Sequence, residues 1–261
     1  MGEALVRGLL DAGWARPDQI AVSELSEGRR AQLLAVDGLA GRYPGLKVLA
    51  GELPAADGAV VAVKPADVEA VCRGLARSGL KRVLSIAAGI SLEDLGSWCG
   101  QGVAVVRAMP NTPALVGAAA TAIAGSSQVS REDMDWASGV MKSVGSVVEV
   151  PEHLLDAVTG LSGSGPAYVF LVAEAMTEAG VAMGLPRELA CALVTQTLAG
   201  SAKLLVDTGG TPAELRAAVT SPGGTTAAGL RRLEASGTRS AFIEAVAAAT
   251  ARSRELGSAN R

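Results

Sequence analysis

Short β-branched runs and amphipathic stretches alternate through roughly the first 150 positions, and only helical patterns follow. Gly2 to Ala12 carries Leu5, Leu9 and Ala12 on one face, which predicts an amphipathic helix, and Gly13 ends it. Apolar runs suited to strands follow at 20–23, 46–50, 58–63, 83–87 and 103–107. The clearest, Gly58 to Val63, is apolar throughout, as a strand covered on both faces must be. Between these runs the spacing predicts helices over 27–36 and 66–78 and another beginning at Leu92, with Ser91 as its N-cap. Further strands are expected at 121–124 and 146–150, flanking a helix that starts on the capping-box-like Ser130-Arg-Glu-Asp133. Such alternation predicts an α/β class fold, a doubly wound parallel sheet with helices on both faces. Pro151 closes the pattern. From there the periodicity predicts helices at 152–160, 166–183, 187–207, 212–219, 224–236 and 238–256, punctuated by Gly184-Leu-Pro186 and Gly209-Gly-Thr-Pro212. Two domains are therefore expected, 1–151 and 152–261.

The junction between them is Leu161 to Phe170, LSGSGPAYVF. Ser162, Gly163, Ser164 and Gly165 read as a small-residue loop, and Pro166 suits the first turn of the following helix, where its missing N–H costs nothing. A bare loop feeding a helix N-terminus aims several N–H groups at one spot and can hold an anion. The same residues equally serve a capped interdomain joint.

Apolar residues make up 49% of the 261 positions and charged residues 19%, so a sizeable core is expected. Aromatics are only 3%, which favours close packing through alanine and glycine. The net charge of −3 and the absence of any basic run give no reason to expect nucleic acid or an anionic membrane as partner. Cys72, Cys99 and Cys191 are dispersed and odd in number, with no C-x-x-C pair, so no disulfide framework or zinc site is supported. That cysteine usage points to a reducing, cytoplasmic setting. His153 is the single histidine and no G-x-S-x-G elbow accompanies it, which argues against a serine hydrolase. Charged Glu3, Arg7 and Asp11 break the N-terminal apolar run, so no signal peptide is read there. The apolar helix at 166–183 contains Glu174 and Glu178 and is expected to be a buried core helix rather than a membrane span.

Ligands of a doubly wound sheet sit beyond the C-terminal ends of the strands. The residues there are Ser23-Glu24, Val63-Lys64-Pro65, Ala87-Ala88-Gly89 and Met109-Pro-Asn-Thr-Pro113, small and proline-rich, which leaves room for a flat cofactor. Ordinary turn chemistry uses the same residue types. A dinucleotide site needs a strand and then G-x-G-x-x-G opening the first helix. Gly2 can only be the last of those glycines, and the strand and earlier glycines would lie upstream of Met1. At the end of the second strand, Glu24 suits a free ribose hydroxyl, while Ser26, Arg29 and Arg30 suit a 2′-phosphate. The convergence of the latter three at a helix start tilts the reading toward NADP.

In the helical half, Ser221-Pro-Gly-Gly-Thr-Thr226 precedes a helix. The N–H groups of Gly224, Thr225 and Thr226 can bind a carboxylate there, and three hydroxyls add donors and acceptors. No acid, base or metal accompanies the loop. That limits the chemistry to steps needing orientation more than proton abstraction, such as hydride transfer to an already polarised C=N. A plain capping turn is the bland reading of the same residues.

Taken together, MGEAL at 1–5, AVKP at 62–65, SIAAGI at 85–90, RAMPNTPA at 107–114, DAVTGLSGSGPAYVF at 156–170, EAMTEAG at 174–180 and SPGGTTAAGL at 221–230 resemble the pyrroline-5-carboxylate reductases, in the family's order and across nearly the whole chain. The resemblance implies a Rossmann-like domain that binds NADPH or NADH, an all-helical domain that forms an interlocked homodimer, and frequent assembly into decamers. It implies that the substrate lies between the domains, partly lined by the partner subunit. It implies hydride transfer to the imine carbon of 1-pyrroline-5-carboxylate, giving L-proline. The carboxylate would meet Ser221, Gly223, Gly224, Thr225 and Thr226, with Thr226 hydrogen-bonded to the ring nitrogen as the catalytic group. The cofactor would meet Gly2, Glu24, Ser26, Arg29, Val63, Lys64, Pro65, Ala87, Ala88 and Gly89, and Asn111 would lie near both ligands. No metal is implied. The departure from the family is the start, where relatives carry a strand and a G-x-G turn; a start assigned too far downstream would account for it.

Two rivals stand beside this reading. A β-hydroxyacid dehydrogenase would use a lysine on the long interdomain helix, but 166–183 holds none. A non-catalytic oligomeric relative that lost its cofactor site is favoured by the absent first strand alone. His153, the three cysteines and Trp14, Trp98 and Trp136 read best as packing or capping residues.

Overall fold

The computed structural model describes residues 1–51 and 54–259, with side chains to 257. Helix α1 (Gly2–Asp11) is followed by β1 (Ala21–Ser23), α2 (Glu27–Leu34), α3 (Leu39–Arg42), β2 (Lys47–Leu49) and β3 (Gly58–Val61). Then come α4 (Val68–Ala76), β4 (Arg82–Ser85), α5 (Leu92–Cys99), β5 (Ala104–Met109), β6 (Ala119–Gly125), α6 (Arg131–Lys142) and β7 (Gly145–Glu149). The helical part comprises α7 (Leu155–Val158), a π-helical turn at Thr159–Gly163, α8 (Gly165–Ala182), α9 (Arg187–Thr208), α10 (Pro212–Ala218), α11 (Thr225–Ala235) and α12 (Thr238–Ala259).

Strands β3, β4 and β5 pair in parallel, as do β6 and β7, while β6 runs antiparallel to β5. The connection 110–118 is shorter than the dozen or so residues that a parallel crossover needs, so the chain turns back instead. Strands β1 and β2 form a separate parallel pair. The two sheets together follow the doubly wound order 3-2-1-4-5-6 without its first strand among the described residues.

Alternate residues of the large sheet feed opposite layers. Val83 and Val105 pack with Val68, Cys72, Leu75, Leu95, Cys99 and Leu155 from α4, α5 and α7. Their neighbours Leu84 and Val106 pack with Leu5, Leu9, Val140 and Met141 from α1 and α6. A third cluster, Leu33, Leu39 and Leu46, supports the β1–β2 pair. Its helix α3 is an element that periodicity did not mark, since four residues are too few to display a period. In the first layer Cys72 and Cys99 are buried free thiols, and the hydrogen bond between them together with burial pushes Cys72 well above the ordinary thiol range.

By compactness the chain divides into Met1–Ser164 with Ala248–Arg261, and Gly165–Ala247. The 162–165 segment expected as a loop is not one: Ser162 and Gly163 belong to a wide helical turn, Ser164 is a single bend and Gly165 already opens α8. The Ser164 N–H donates to the carbonyl of Thr159 at 2.8 Å, an i→i−5 bond. Thr159 and Ser162 hydroxyls bond the carbonyls of Leu155 and Val158 and so satisfy the backbone that the π turn displaces. The end of α12 joins this unit through Ser253, whose hydroxyl donates to Asp156 at 2.7 Å.

In the second unit α8 and α9 form a hairpin turned by Gly184 at φ +97°. A Cβ on Gly180 would sit 3.2 Å from that of Ala190, so the two helices meet through small residues. The expectation of a buried core helix at 166–183 does not hold for the single chain: α8 has no buried residue, and Phe170 is 66% exposed. Helix α9 is also long and apolar enough to cross a membrane by length and composition, with few of its residues buried.

Gly145 carries the tightest constraint in the large sheet. Its φ is +155°, and a Cβ there would lie 2.1 Å from the carbonyl oxygen of Ala119. Gly145→Ala should therefore pry β7 from β6 and destabilise the protein by about 2 kcal/mol or more. A thermal melt should show a midpoint lowered by about 4–8 °C; an unchanged midpoint would contradict this account of the β6–β7 edge.

Candidate functional site

The loops beyond the C-terminal ends of β1, β3, β4 and β5 gather most of the residues singled out for a cofactor. At the start of α1, a Cβ on Gly2 would come 3.2 Å from the Cβ of Ala62, directly after β3. This close approach of helix to strand is the role of the third glycine in a dinucleotide fingerprint. The α1 N-terminus has no side-chain cap, so its first N–H groups are available to an anion. These features fit a dinucleotide.

Following β1, Glu24 bends back and accepts the Ser26 N–H at 2.9 Å, and the Ser26 hydroxyl caps α2 by accepting from the Arg29 N–H at 3.4 Å. The Arg30 guanidinium donates to the carbonyls of Glu24 and Leu25 at 2.9 and 2.6 Å. Arg29 reaches Glu3 of α1 and also bonds Gln32 at 2.8 Å. Burial works to raise the Glu3 carboxyl, but hydrogen bonds and charge from Arg7 and Arg29 outweigh it and hold Glu3 below the ordinary carboxylate value. Two arginines and a serine thus surround the β1–α2 turn, with the carboxylates of Glu3 and Glu24 turned to protein donors.

Val63, Lys64 and Pro65 are exposed; Val63 lies in a bend, Lys64 is extended and Pro65 opens a 3-10 turn at Pro65–Asp67. Ala87, Ala88 and Gly89 form a tight turn after β4; the Ala87 N–H donates to the Ser85 hydroxyl at 3.3 Å, and Gly89 has φ +75°. The small residues Ala88 and Gly89 leave the backbone of this second turn open to a ligand.

Asn111 is buried, and its amide is engaged with the protein at both ends. Its Oδ1 accepts the Ala120 N–H at 2.9 Å and its Nδ2 donates to the Ser162 carbonyl at 3.0 Å. The residue expected to touch both ligands therefore also ties the β5–β6 loop to the π turn. Close by, a Cβ on Gly163 would come within 2.7 Å of the Met109 methyl.

In the second unit, Ser221 to Gly224 closes a turn through the Gly224 N–H donating to the Ser221 carbonyl at 3.1 Å. Pro222 at the second position and Gly223 at the third, with φ +72°, are the residues a type II turn asks for. Gly224 is the N-cap of α11 and supplies no side-chain cap. The first N–H groups of α11, from Thr225 and Thr226, lack intrahelical partners by position. A Cβ on Gly224 would lie 2.4 Å from the Ser221 hydroxyl, so glycine keeps that hydroxyl at the mouth of the turn. Backbone N–H groups and three hydroxyls here suit a carboxylate and a ring nitrogen, and no titratable side chain lies within the 221–226 segment.

The sequence analysis missed Arg107 and Glu152. Arg107 is buried in β5 and pairs with Glu152 at 3.2 Å. A lone arginine ending an otherwise apolar strand is the signal that could have found it, since arginine is rarely buried without a partner.

The pyrroline-5-carboxylate reductase dimerisation family matches residues 152–256. The chain is 45% identical to the pyrroline-5-carboxylate reductase of Synechocystis sp., over 98% of this chain and 95% of that one. Among solved structures it resembles the pyrroline-5-carboxylate reductase of Coxiella burnetii, with 36% identity and a TM-score of 0.89 over 98% of this chain and 94% of the other. It also resembles the Plasmodium falciparum enzyme crystallised with NADP bound, with 30% identity and a TM-score of 0.81 over the same shares, 98% and 94%.

The Glu3 tie carries a pH signature. A depressed carboxyl stabilises the fold fully above its unfolded value, near 4.5, and that contribution disappears as pH falls through the lower folded value. Glu3→Gln should lower the melting midpoint at pH 7, and the gap between variant and parent should close on acidification below about pH 4.5. A gap that stays constant down to pH 3 would show that Glu3 does not act through its charge.

Proposed function

This chain belongs to the pyrroline-5-carboxylate reductase family, and from that premise we propose how its own residues serve the reaction. The protein reduces 1-pyrroline-5-carboxylate to L-proline with NAD(P)H, the last step of proline biosynthesis. The bound dinucleotide supplies the hydride for the imine carbon. On the protein side, the turn at Ser221–Gly224 and the open N-terminus of α11 bind the substrate carboxylate through the N–H groups of Thr225 and Thr226, the Ser221 hydroxyl and the Thr225 hydroxyl, while Gly224, whose own N–H closes the turn on Ser221, leaves the approach free of a side chain. Gly223 holds the turn. The Thr226 hydroxyl hydrogen-bonds the ring nitrogen and fixes the imine in its reactive orientation. A protonated imine is electrophilic already, so orientation together with one hydrogen bond suffices.

The observation that carries this reading is the uncapped start of α11 behind a turn in which Gly224 cannot be replaced without striking Ser221. For the dinucleotide, Gly2 with the α1 N-terminus would hold the phosphates. Glu24, Ser26 and Arg29 would meet the adenosine ribose, with Arg29 and Arg30 favouring a 2′-phosphate and hence NADPH. Val63, Lys64, Pro65, Ala87, Ala88, Gly89 and Asn111 would frame the nicotinamide.

The family match at 152–256 makes the protein a homo-oligomer. We assign residues 1–151 to dinucleotide binding and 152–261 to substrate binding and dimerisation. The exposed Val169, Phe170, Leu171 and Leu193 of α8 and α9 are the surface that a second copy would cover. The three dispersed cysteines fit a cytoplasmic setting, and a net charge of −3 gives no reason to expect a nucleic-acid or anionic-membrane partner.

NADPH oxidation on addition of 1-pyrroline-5-carboxylate tests the reading directly. The parent protein should turn over, and a folded, dimeric protein that binds neither nucleotide would instead be a non-catalytic relative. Thr226→Val should lower kcat about 10²-fold, the scale of losing one aligned hydrogen bond to the reacting centre, while Thr226→Ser recovers most of it. Gly224→Ala should act differently, raising the KM for pyrroline-5-carboxylate with little change in the KM for NADPH. Steady-state kinetics with each substrate varied separates the two patterns, and equal loss in both KM values would remove Gly224 from the carboxylate site.

A further inference from the structure

Glu152 has no part in the site as assigned above, yet one of its oxygens joins two of the cofactor-side loops. Oε1 accepts the backbone N–H of Leu92 at 2.6 Å and a guanidinium N–H of Arg107 at 3.2 Å. Leu92 opens α5 three positions after Gly89, with Ile90 and the N-cap Ser91 between them, and its N–H is one of the first-turn donors that a helix cannot satisfy internally. A carboxylate there also complements the helix dipole. Arg107 lies in β5 two positions before Met109, where the loop bearing Asn111 departs. Its side chain is only 10% exposed, and Glu152 is the carboxylate paired with it. Strands β4 and β5 are adjacent, with Ser85 opposite Arg107. The Glu152 carboxylate therefore fixes the far end of one loop to the root of the other. None of these three groups bonds to Ser26 or Arg29, which lie at the other end of the proposed nucleotide site.

We propose that Glu152 is a positioning residue that sets the 87–89 and 110–113 loops relative to one another and so shapes the nicotinamide half of the cofactor site, leaving the adenosine half untouched. This rests on the assignment of those loops to the nicotinamide. The pairing predicts a split that general destabilisation does not produce. Loss of the carboxylate weakens contacts to the nicotinamide end while the ribose-phosphate end binds as before.

The test compares the full-length parent with Glu152→Ala, Glu152→Gln and Arg107→Met. Hydrogen exchange in the cofactor-free protein should quicken in Glu152→Ala at 86–92 and 109–114 and stay at parent rates over 26–34. NADPH affinity should fall about tenfold, and kcat should fall toward the hundredfold that a misplacement of about 1 Å can cost. Affinity for adenosine 2′,5′-bisphosphate, which lacks the nicotinamide, should hold. Glu152→Gln keeps an acceptor for both donors and should recover most of the loss. If Glu152→Ala does not fold, Arg107→Met carries the test. It retains the Leu92 bond and should loosen 109–114 alone, with a smaller loss of NADPH affinity. Proportionate loss of NADPH and bisphosphate binding, or parent-like exchange and affinity in the folded variants, overturns the proposal. A parent that fails to reduce pyrroline-5-carboxylate while the loops loosen as described would instead overturn the functional reading and leave the positioning role standing.

Discussion

Strands β4 and β5 are buried on both faces and β3 partly so, and the rest of the first unit follows from that demand. Successive residues of a strand point to opposite sides, so Val83 and Leu84 enter different layers, each needing its own helices. Helices α4, α5 and α7 cover one side, and α1 and α6 cover the other. Parallel pairing then requires a crossover after β3 and after β4, and all three strands end at the same edge of the sheet, where the chain leaves β5 for its antiparallel return. The loops at 62–65, 86–91 and 110–114 are thereby collected without any contact between them being needed. Chemistry at that edge is a consequence of how the hydrophobic faces were covered. What covering the faces does not supply is the spacing between loops, and there a polar tie such as Glu152 to Leu92 and Arg107 has a task that apolar packing cannot perform.

The strands and most helices of this unit were legible because their burial leaves a period in the sequence. Gly58 to Val63 and Val103 to Arg107 are read from continuous apolar runs, and Ser91 and Ser130 both cap helices as their sequences indicate. Where reading fell short, the cause is specific. The return of β6 antiparallel to β5 depends on loop length rather than on residue pattern. Helix α3 is too short to show a period. The π turn at Thr159–Gly163 uses the small residues that also make loops, and its identity lies in one i→i−5 hydrogen bond that composition does not encode.

The second unit poses the opposite case. Its helices were placed nearly to the residue, since Gly and Pro punctuate them, but their burial was misjudged. An apolar helix looks the same in sequence whether its own chain or another copy covers it. Helix α8, with no buried residue, and α9, with Ala190 and Val194 alone, are left largely uncovered by their own chain. The match of 152–256 to a dimerisation family supports a second copy as that cover. An unpartnered apolar hairpin of this length in water would otherwise be an aggregation surface.

The candidate site residues divide along a similar line. Glycines were the most informative, because each answers to a geometric demand visible in the structure: Gly2 against Ala62, Gly223 at positive φ, Gly224 against Ser221. Asn111 was less so, since a buried amide in a motif can serve the fold and the ligand together, and its two protein bonds account for much of its placement. Hydroxyls such as Thr226 carry the least structural signature of all. A threonine in the first turn of a helix is an ordinary residue until something is bound in front of it. This is the expected form of a site whose substrate arrives already activated. When the imine needs orientation and not proton abstraction, selection acts on backbone direction and on the absence of side chains, and a perturbed acid or base, the usual marker of an active site, has no reason to be there.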